Sequence, residues 1–304
     1  MRILLFGMRC HFTPPVLAAL IASEHEVVGI VLPGRQSGRG WRWLRAPGSS
    51  RGLPLGGEQT VDSLANNYAL PLAEWQPGQP GSAIEAIAGL KPDLIVVACF
   101  PGLIPRSIID LAPYGGCNLH PSLLPALRGP DPLFWTLQQG LSSSGVTFHR
   151  LSDRFDTGKI LAQRSVDIPA GERIDRLEMV MGQVGGALLL DSLAQWSELD
   201  GGAHAQDDDG ATYAPNPKVA DFRVGTDWPV ERAFRFIRGA APLGQEFEIF
   251  DASGQIWRVR DAERWLSFAE SQLLKNDVSE RLDIPFADGI LRVIPGETVR
   301  WDPS

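Results

Sequence analysis

Short apolar runs alternate with helix-like segments over the first two thirds of the sequence. Residues 3–6, 27–32 and 94–98 are almost unbroken apolar stretches of the kind that forms buried parallel strands. Between them, 16–22 follows a Pro-Pro pair in the manner of a helix start, and 82–90 has helical character. This order of strand, helix and strand predicts a Rossmann-like α/β domain with a mostly parallel sheet.

The hydrophobic pattern of the rest of the chain falls into two parts, one before and one after residue 212. Residues 145–151 alternate as a strand does, 160–166 form a further strand, and apolar residues recur at three and four positions from 173 to 196. The last of these predicts a long amphipathic helix that covers the sheet. After residue 212 the pattern is one of short alternating strands separated by turns, at 246–250, 255–259, 282–286 and 289–294.

Residues 200–211 are rich in Gly and Asp and have little to bury, which is typical of a linker. We therefore predict a catalytic domain over 1–199, a linker over 200–211 and a small β-rich, OB-like domain over 212–304.

The net charge is -8 and the sequence pI about 5.2, which argues against binding nucleic acid over the whole surface but leaves room for a basic patch. One such stretch, 35–57, has no acidic residue. It contains Arg35, Arg39, Trp41, Arg42, Trp43, Arg45 and Arg51. The stretch is either a loop that binds anions and stacks on single strands, or an insertion that its arginines keep soluble.

The three cysteines lack paired spacing, so we expect buried, reduced thiols and no metal cluster. The amino-terminal apolar run is too short for a signal peptide, and no run approaches the roughly 18 apolar residues of a membrane span. A cytoplasmic protein without membrane contact is expected. Only one Gly, Gly7, follows the first strand, so the glycine fingerprint of a nicotinamide dinucleotide site is missing.

The richest chemistry lies around Cys117–Pro132, with a second element at Phe155–Gly158. Asn118 and His120 stand two apart at a strand end, so their side chains project to the same side. An amide N–H can stabilise an oxyanion, an imidazole can move a proton, and the carboxylate of Asp156 can orient that imidazole. These groups suit acyl transfer between two bound molecules.

Other interpretations of the same segment have less support. Ser122 lacks the Gly-x-Ser-x-Gly elbow of a serine hydrolase. Cys117 and His120 have the spacing of half a metal site, but no second pair exists. His120 could also be a structural histidine at a strand end. Because parallel strands end at one sheet edge, the loops at 98–105 and 120–130 are expected to form one pocket.

The joint motif resembles the formyltransferases that use 10-formyltetrahydrofolate, which include methionyl-tRNA, amino-sugar nucleotide and glycinamide ribonucleotide branches. It consists of Asn118 to Pro125, Arg128-Gly129, Gly145-Val146-Thr147 and Asp156-Thr157-Gly158. The resemblance implies that Asn118 and His120 stabilise the oxyanion on the formyl carbon. It also implies that Asp156 supports His120 and assists proton removal from the attacking amine.

The resemblance further implies a folate site. Its expected residues are Phe100, Gly102, Leu103, Ile104, Ser122, Leu123, Leu124 and Pro125. Candidate contacts to the acceptor are Arg39, Arg42, Arg45 and Arg128. Initiator methionyl-tRNA is the best named acceptor. An amino-sugar nucleotide or another small amine, a formyltetrahydrofolate hydrolase and a silent folate-binding module are the alternatives.

Overall fold

The computed structural model describes residues 1–34, 40–50, 59–76, 81–271 and 281–296. Contacts divide the chain into two compact units. Unit 1 comprises Met1–Pro130, Ser144–Val166 and Glu178–Ala214, and unit 2 comprises Asp131–Ser143, Asp167–Leu177 and Pro215–Ser304.

Unit 1 is organised around an eight-stranded sheet. Its strands are β1 (Arg2–Gly7), β2 (Glu26–Pro33), β3 (Trp41–Arg45), β4 (Leu72–Trp75), β5 (Leu94–Ala98), β6 (Gly116–His120), β7 (Ser143–Arg150) and β8 (Ile160–Asp167). The spatial order is β3-β4-β2-β1-β5-β6-β7-β8. Strands β4, β2, β1, β5 and β6 are parallel, whereas β3 and β7 run antiparallel to β4 and β6. The predicted mostly parallel α/β sheet is confirmed.

Nine α-helices occur in the described parts of the chain. They are α1 (Thr13–Ile21), α2 (Val61–Asn67), α3 (Gly81–Leu90), α4 (Arg106–Ile109), α5 (Pro132–Gln138), α6 (Ile174–Ala194), α7 (Trp196–Gly202), α8 (Val230–Ala240) and α9 (Phe268–Ser271). Pro14 and Pro15 open α1, where their missing N–H groups are not needed. A capping box between Thr60 and Ser63 opens α2.

The long helix α6 covers the sheet as predicted, with Gly185 lying against Leu119 of β6 and Val146 of β7. Among the described helices, α6 alone is long and apolar enough to cross a membrane. Half of its most apolar window is buried inside the protein, as in a helix that packs on a core.

The stretch 41–45 differs from the loop that its arginines and glycines favour. It forms the edge strand β3, in which Trp41 and Trp43 are half-buried and pack against the core. The alternation of Trp and Arg is the period of a strand with one apolar face. Arg35, Arg39 and Arg51 lie outside the described residues.

Unit 2 contains a five-stranded sheet. Its strands are β9 (Arg223–Gly225), β10 (Phe247–Phe250), β11 (Ile256–Leu266), β12 (Leu282–Phe286) and β13 (Gly289–Pro295), in the spatial order β12-β13-β11-β10-β9. Its core is aromatic, because Phe134, Phe222, Phe236 and Phe247 contact one another at ring-centroid distances of 5.1 to 6.3 Å. The small β-rich second part is confirmed, and its OB-like character stays a prediction.

The two units do not coincide with the predicted domains, 1–199 and 212–304. The predicted domain borders stay a prediction. Residues 200–211 belong to unit 1 and include the end of α7 and a short 3₁₀ turn at Asp208–Gly210. His204 forms a β-bridge with Ile160, the first residue of β8. This segment is therefore in close contact with the rest of unit 1.

Candidate active site

Strands β6 and β7, which are neighbours in the larger sheet, bring Asn118, His120 and His149 close together near the carboxyl end of β6. Asn118 pairs with His149 and His120 with Thr147 in the antiparallel register of these strands. His120 and His149 are buried and Asn118 is half-buried. The two-residue spacing puts Asn118 and His120 on one face.

Asp156 completes the cluster from the loop after β7. Its Oδ1 accepts a hydrogen bond from Asn118 Nδ2 at 3.2 Å and lies 3.6 Å from both His120 Nδ1 and His149 Nε2. Its Oδ2 accepts from the backbone N–H of Gly129 at 2.9 Å. The structure therefore brings Asn118, His120 and Asp156 together, although 36 positions separate the last two.

Two backbone features hold Asp156 in this place. Asp156 has a φ of +55°, in the left-handed region that residues with a Cβ seldom occupy. At Gly158 the chain passes so close to β7 that an added Cβ would lie 1.7 Å from the carbonyl oxygen of Arg150. The Asp-Thr-Gly sequence thus supplies a residue that tolerates the turn and a glycine that allows the close approach.

The hydrogen bonds of His120 fix which of its nitrogens is available. His120 Nε2 donates to the carbonyl oxygen of Leu127 at 2.8 Å, because a carbonyl can only accept. When the ring is neutral, Nδ1 therefore carries the lone pair and faces the Asp156 carboxylate. His120 Nδ1 is the atom that can take a proton in this site.

The neighbouring histidine has the same kind of arrangement. His149 Nδ1 donates to the carbonyl oxygen of Arg150 at 2.9 Å, so the neutral ring accepts at Nε2 from Asn118 Nδ2 at 3.1 Å. The two N–H groups of the Asn118 amide therefore go to His149 and Asp156. To donate to a substrate oxygen, Asn118 has to give up one of these two bonds.

Burial and charge set the protonation of the cluster. Burial lowers the pKa of His120 below its usual 6.5, and the opposing effects of Asp156 and the Leu127 carbonyl do not cancel it. Burial alone would raise the pKa of Asp156, but the charge of His120, the hydrogen bond and charge of His149 and the Gly129 N–H outweigh it, and the pKa falls to about 2. At neutral pH the site holds a neutral imidazole beside a carboxylate.

The loop after β6 is locked by side chains of β7 and β8. Thr147 Oγ1 donates to the carbonyl of Ser122 at 2.6 Å and accepts from the N–H of Leu124 at 3.0 Å. Gln163 Nε2 donates to Thr147 Oγ1 at 2.9 Å and to the Leu124 carbonyl at 2.8 Å. The Leu124–Pro125 peptide bond is cis. The hydrogen bonds of Thr147 and Gln163 hold the loop beside the polar cluster.

The residues expected to bind the folate differ in how accessible they are. Strands β5 and β6 are parallel neighbours, so the loops at 98–104 and 122–125 begin side by side as predicted. Ile104, Ser122 and Leu124 are buried, and Phe100 stacks on Trp75 at 6.0 Å. The more accessible members of the set are Gly102, Leu103, Leu123 and Pro125.

The candidate acceptor-binding arginines that the structure describes already have partners in the protein. Arg42 pairs with the buried Glu74 at 2.5 Å, and Arg45 bonds to Asn66 Oδ1 at 3.0 Å and to the Ser50 carbonyl. Both guanidinium groups are therefore held by partners in unit 1, although the Arg42 side chain remains 65% exposed. Arg39 is outside the described residues.

Arg128 is largely buried and is held within unit 1. Its Nε donates to Gln206 Oε1 and one terminal nitrogen pairs with Asp208, both at 2.9 Å. The other terminal nitrogen, Nη2, is buried without a hydrogen-bond partner among the described residues. Arg128 is thus tied to the segment that follows α7.

Sequence reasoning missed His149, Gln163 and Gln206 as parts of the site. His149 could have been found, because Thr147 and His149 are polar residues two apart in a predicted strand and therefore share a face. The two glutamines carry no such signal, since each contacts a loop far away in the sequence.

The cysteines are reduced, but only Cys117 is fully buried, which corrects the expectation of three buried thiols. Burial raises the pKa of Cys117 to about 12, whereas a hydrogen bond with Cys99 lowers the pKa of Cys10 to about 6. Within the described residues, no group of three or more His, Cys, Asp and Glu side chains is placed to hold a metal ion.

Comparison with known proteins gives a consistent result. Residues 66–193 match the family model described as Formyl transferase. Methionyl-tRNA formyltransferase of Roseobacter denitrificans is 34% identical over 234 residues, which is 76% of this chain and 72% of that protein. Methionyl-tRNA formyltransferase of Bordetella pertussis is 28% identical over 96% of this chain and 93% of that protein.

Solved structures share the fold at low identity. An N-formyltransferase from Helicobacter canadensis, in complex with folinic acid and dTDP-3-aminofucose, matches with a TM-score of 0.64 at 12% identity, over 97% of this chain and 99% of that chain. Methionyl-tRNA formyltransferase from Clostridium thermocellum matches with a TM-score of 0.55 at 14% identity, over 97% and 100% of the two chains.

Proposed function

The chain belongs to the formyl transferase family, and from this premise we propose that it transfers the formyl group of 10-formyltetrahydrofolate to the amine of initiator methionyl-tRNA. The observation that carries the proposal is the convergence of Asn118, His120 and Asp156 near the carboxyl end of β6. This set contains an amide, a proton acceptor and a carboxylate, as acyl transfer to an amine needs.

The protonation of the cluster suggests an order of events. The amine nitrogen bonds to the formyl carbon, and the proton that the amine loses goes to His120 Nδ1, which has a lone pair in the neutral ring. Asp156, ionised and 3.6 Å away, stabilises the imidazolium that forms. His120 then gives this proton to the folate nitrogen as its bond to the formyl carbon breaks.

When the amine adds to the formyl carbon, negative charge develops on the formyl oxygen, and hydrogen-bond donors are needed to stabilise it. We assign this role to the Nδ2–H of Asn118, which turns from its present partner, and to His120 Nδ1–H once the proton has arrived. Because the Asn118 amide sits between Asp156 and His149, a small rotation exposes one of its N–H groups while the other stays bonded.

In this proposal the folate, which donates the formyl group, binds against the loops 98–104 and 122–125. Leu103, Leu123 and Pro125 offer accessible apolar surface for the ring system. The buried members Ile104, Ser122 and Leu124 act by shaping the loops and by presenting backbone groups. Folate, with its flat ring and polar edge, suits a site of this composition.

The acceptor rests on the relatives named methionyl-tRNA formyltransferase, which are similar to this chain over most of its length. Contact with the tRNA phosphates is assigned to Arg39, Arg42 and Arg45. A cytoplasmic location is part of the proposal, since the three cysteines are reduced and the acceptor belongs to protein synthesis.

The test is to incubate the protein with 10-formyltetrahydrofolate and one acceptor at a time, and to measure both tetrahydrofolate release and the formylated product. Formylation of methionyl-tRNA, with little folate release in its absence, supports the proposal. Formylation of an amino-sugar nucleotide alone would keep the reaction and change the acceptor. Equal folate release without any acceptor would identify a hydrolase instead.

A further inference from the structure

Gln206 lies at the centre of a hydrogen-bond bridge between two loops of the site. Its Nε2 donates to the carbonyl oxygens of Asp156 and Gly158, both at 2.8 Å. Its Oε1 accepts from Arg128 Nε at 2.9 Å. Carbonyls only accept and a guanidinium only donates, so the orientation of the Gln206 amide is set by its partners.

The turn that Gln206 holds is one that the chain does not favour by itself. Asp156 is in the left-handed region, and the carbonyl oxygens on both sides of Thr157 point at the same amide. Without Gln206, these two carbonyls lose the donors that the described structure gives them. Without these two hydrogen bonds, less holds Asp156 in its left-handed conformation.

The bridge also reaches the second support of the carboxylate. Arg128 directly precedes Gly129, whose N–H donates to Asp156 Oδ2. The same segment as Gln206 holds this loop at a further point, because Thr212 Oγ1 accepts from the N–H of Leu127 at 2.8 Å. Gln206 therefore connects both chain segments that decide where the carboxylate lies.

We propose that Gln206 is a positioning residue for formyl transfer, which keeps the Asp156 carboxylate against His120 and Asn118 by holding the Asp156–Gly158 turn to Arg128. The inference rests on the proposed function and deepens it. Gln206 touches neither substrate nor the reacting atoms in this account, and it acts through Asp156.

The chain offers a matched control. Asp208 Oδ1 accepts from Arg128 at 2.9 Å, two residues from Gln206, but its side chain is 74% exposed and it has no hydrogen bond to the turn. Asp208→Ala removes one contact of Arg128 and leaves the Asp156–Gly158 turn intact. Gln206→Glu keeps an acceptor for Arg128 but turns a carboxylate oxygen towards the two carbonyls.

The first measurement needs no substrate. The C2–H signal of His120, assigned with His120→Asn, is titrated by NMR in the wild type and in Gln206→Ala, Gln206→Glu and Asp208→Ala. His120 is faced by Asp156, which raises its pKa, and by His149, which lowers it. If the carboxylate moves away, the midpoint of the His120 titration falls in Gln206→Ala and stays unchanged in Asp208→Ala. In Gln206→Glu the midpoint falls by less, because the added negative charge, paired with Arg128, partly offsets the loss.

The second measurement is steady-state formylation. Both Gln206 variants should lose about 10- to 100-fold in kcat, the scale of a small misplacement of a reacting group. Their KM values should stay within about threefold of wild type, and the acidic limb of the pH profile should move to lower pH.

Unchanged midpoints together with wild-type kcat in both Gln206 variants would overturn the inference. Urea unfolding shows whether Gln206→Ala is folded, and Gln206→Glu, which is closer in shape, provides the same test if it is not. A wild-type protein that formylates no amine would overturn the proposed function, while the titration still decides whether Gln206 positions Asp156.

Discussion

Replacing Asp156 by Asn tests how the carboxylate is used, because the change removes a charge and keeps the shape. The pKa of Asp156 is about 2 in the folded protein and 3.8 in its usual range. A difference of nearly two units corresponds to about 2 kcal/mol in favour of the ionised form. Because the charge of His120 contributes to this difference, Asp156→Asn should lower the free energy of unfolding by up to about 2 kcal/mol at a pH below the pKa of His120 and above that of Asp156.

The sign of the pH dependence follows from the direction of that shift. The folded pKa lies below the unfolded one, so the ionised carboxylate stabilises the fold above pH 3.8 and this contribution disappears as the pH falls through about 2. Urea unfolding followed by tryptophan fluorescence should show a difference between wild type and variant that widens as the pH falls from 7 and His120 takes up a proton. The difference should narrow below pH 4.

Activity should respond in a second, independent way. Removing the carboxylate lowers the pKa of His120 further, because Asp156 is the charge that raises it. The neutral imidazole is the active form, so kcat/KM rises with pH through this pKa, and the rise should begin at lower pH in the variant. The plateau should fall by roughly 10²-fold.

An acidic limb that stays in place or moves to higher pH would refute the coupling between Asp156 and His120. Equal stability of the two proteins at every pH from 7 to 4 would refute the claim that the folded protein favours the charged carboxylate.

Three further changes have defined outcomes. His120→Ala should lower kcat by roughly 10²-fold or more in initial-rate assays, and a loss of less than about threefold would remove His120 from the chemistry. Gly158→Ala should cost about 1–3 kcal/mol or more in urea unfolding, since its Cβ would meet the Arg150 carbonyl, and an unchanged midpoint would contradict this. Arg42→Ala with Arg45→Ala should reduce the log-log salt slope of methionyl-tRNA binding by roughly 0.7 to 0.9 per lost contact; an unchanged slope would leave both arginines with structural roles.

Strand β4 lies next to the edge strand β3, and the sequence pattern does not predict it. The reason is that Glu74, within β4, interrupts the apolar run. The structure buries Glu74 and pairs it with Arg42 at 2.5 Å and with Arg9 at 3.3 Å. A buried charge is tolerated when it is paired, and partners this distant in the sequence give no local signal.

The sequence predicts the reacting side chains of the site, but not the residues that hold them in position. The spacing of Asn118 and His120 in a strand determines that they share a face, and the family motif led to Asp156. Gln206 was placed in a predicted linker, because its segment is polar and has little to bury. Its partners are backbone carbonyls about 50 positions away, and nothing in a sequence marks a carbonyl that needs a donor.

In the proposed reaction, this chain moves a formyl group to an amine and His120 carries the proton. The most direct measurement follows a ¹³C-formyl label from 10-formyltetrahydrofolate to methionyl-tRNA by mass spectrometry, with the wild type and His120→Asn side by side. Labelled N-formylmethionine is expected from the wild type, and roughly a hundredth of that rate or less from the variant. No labelled product from the wild type, or equal labelling by both proteins, would contradict it.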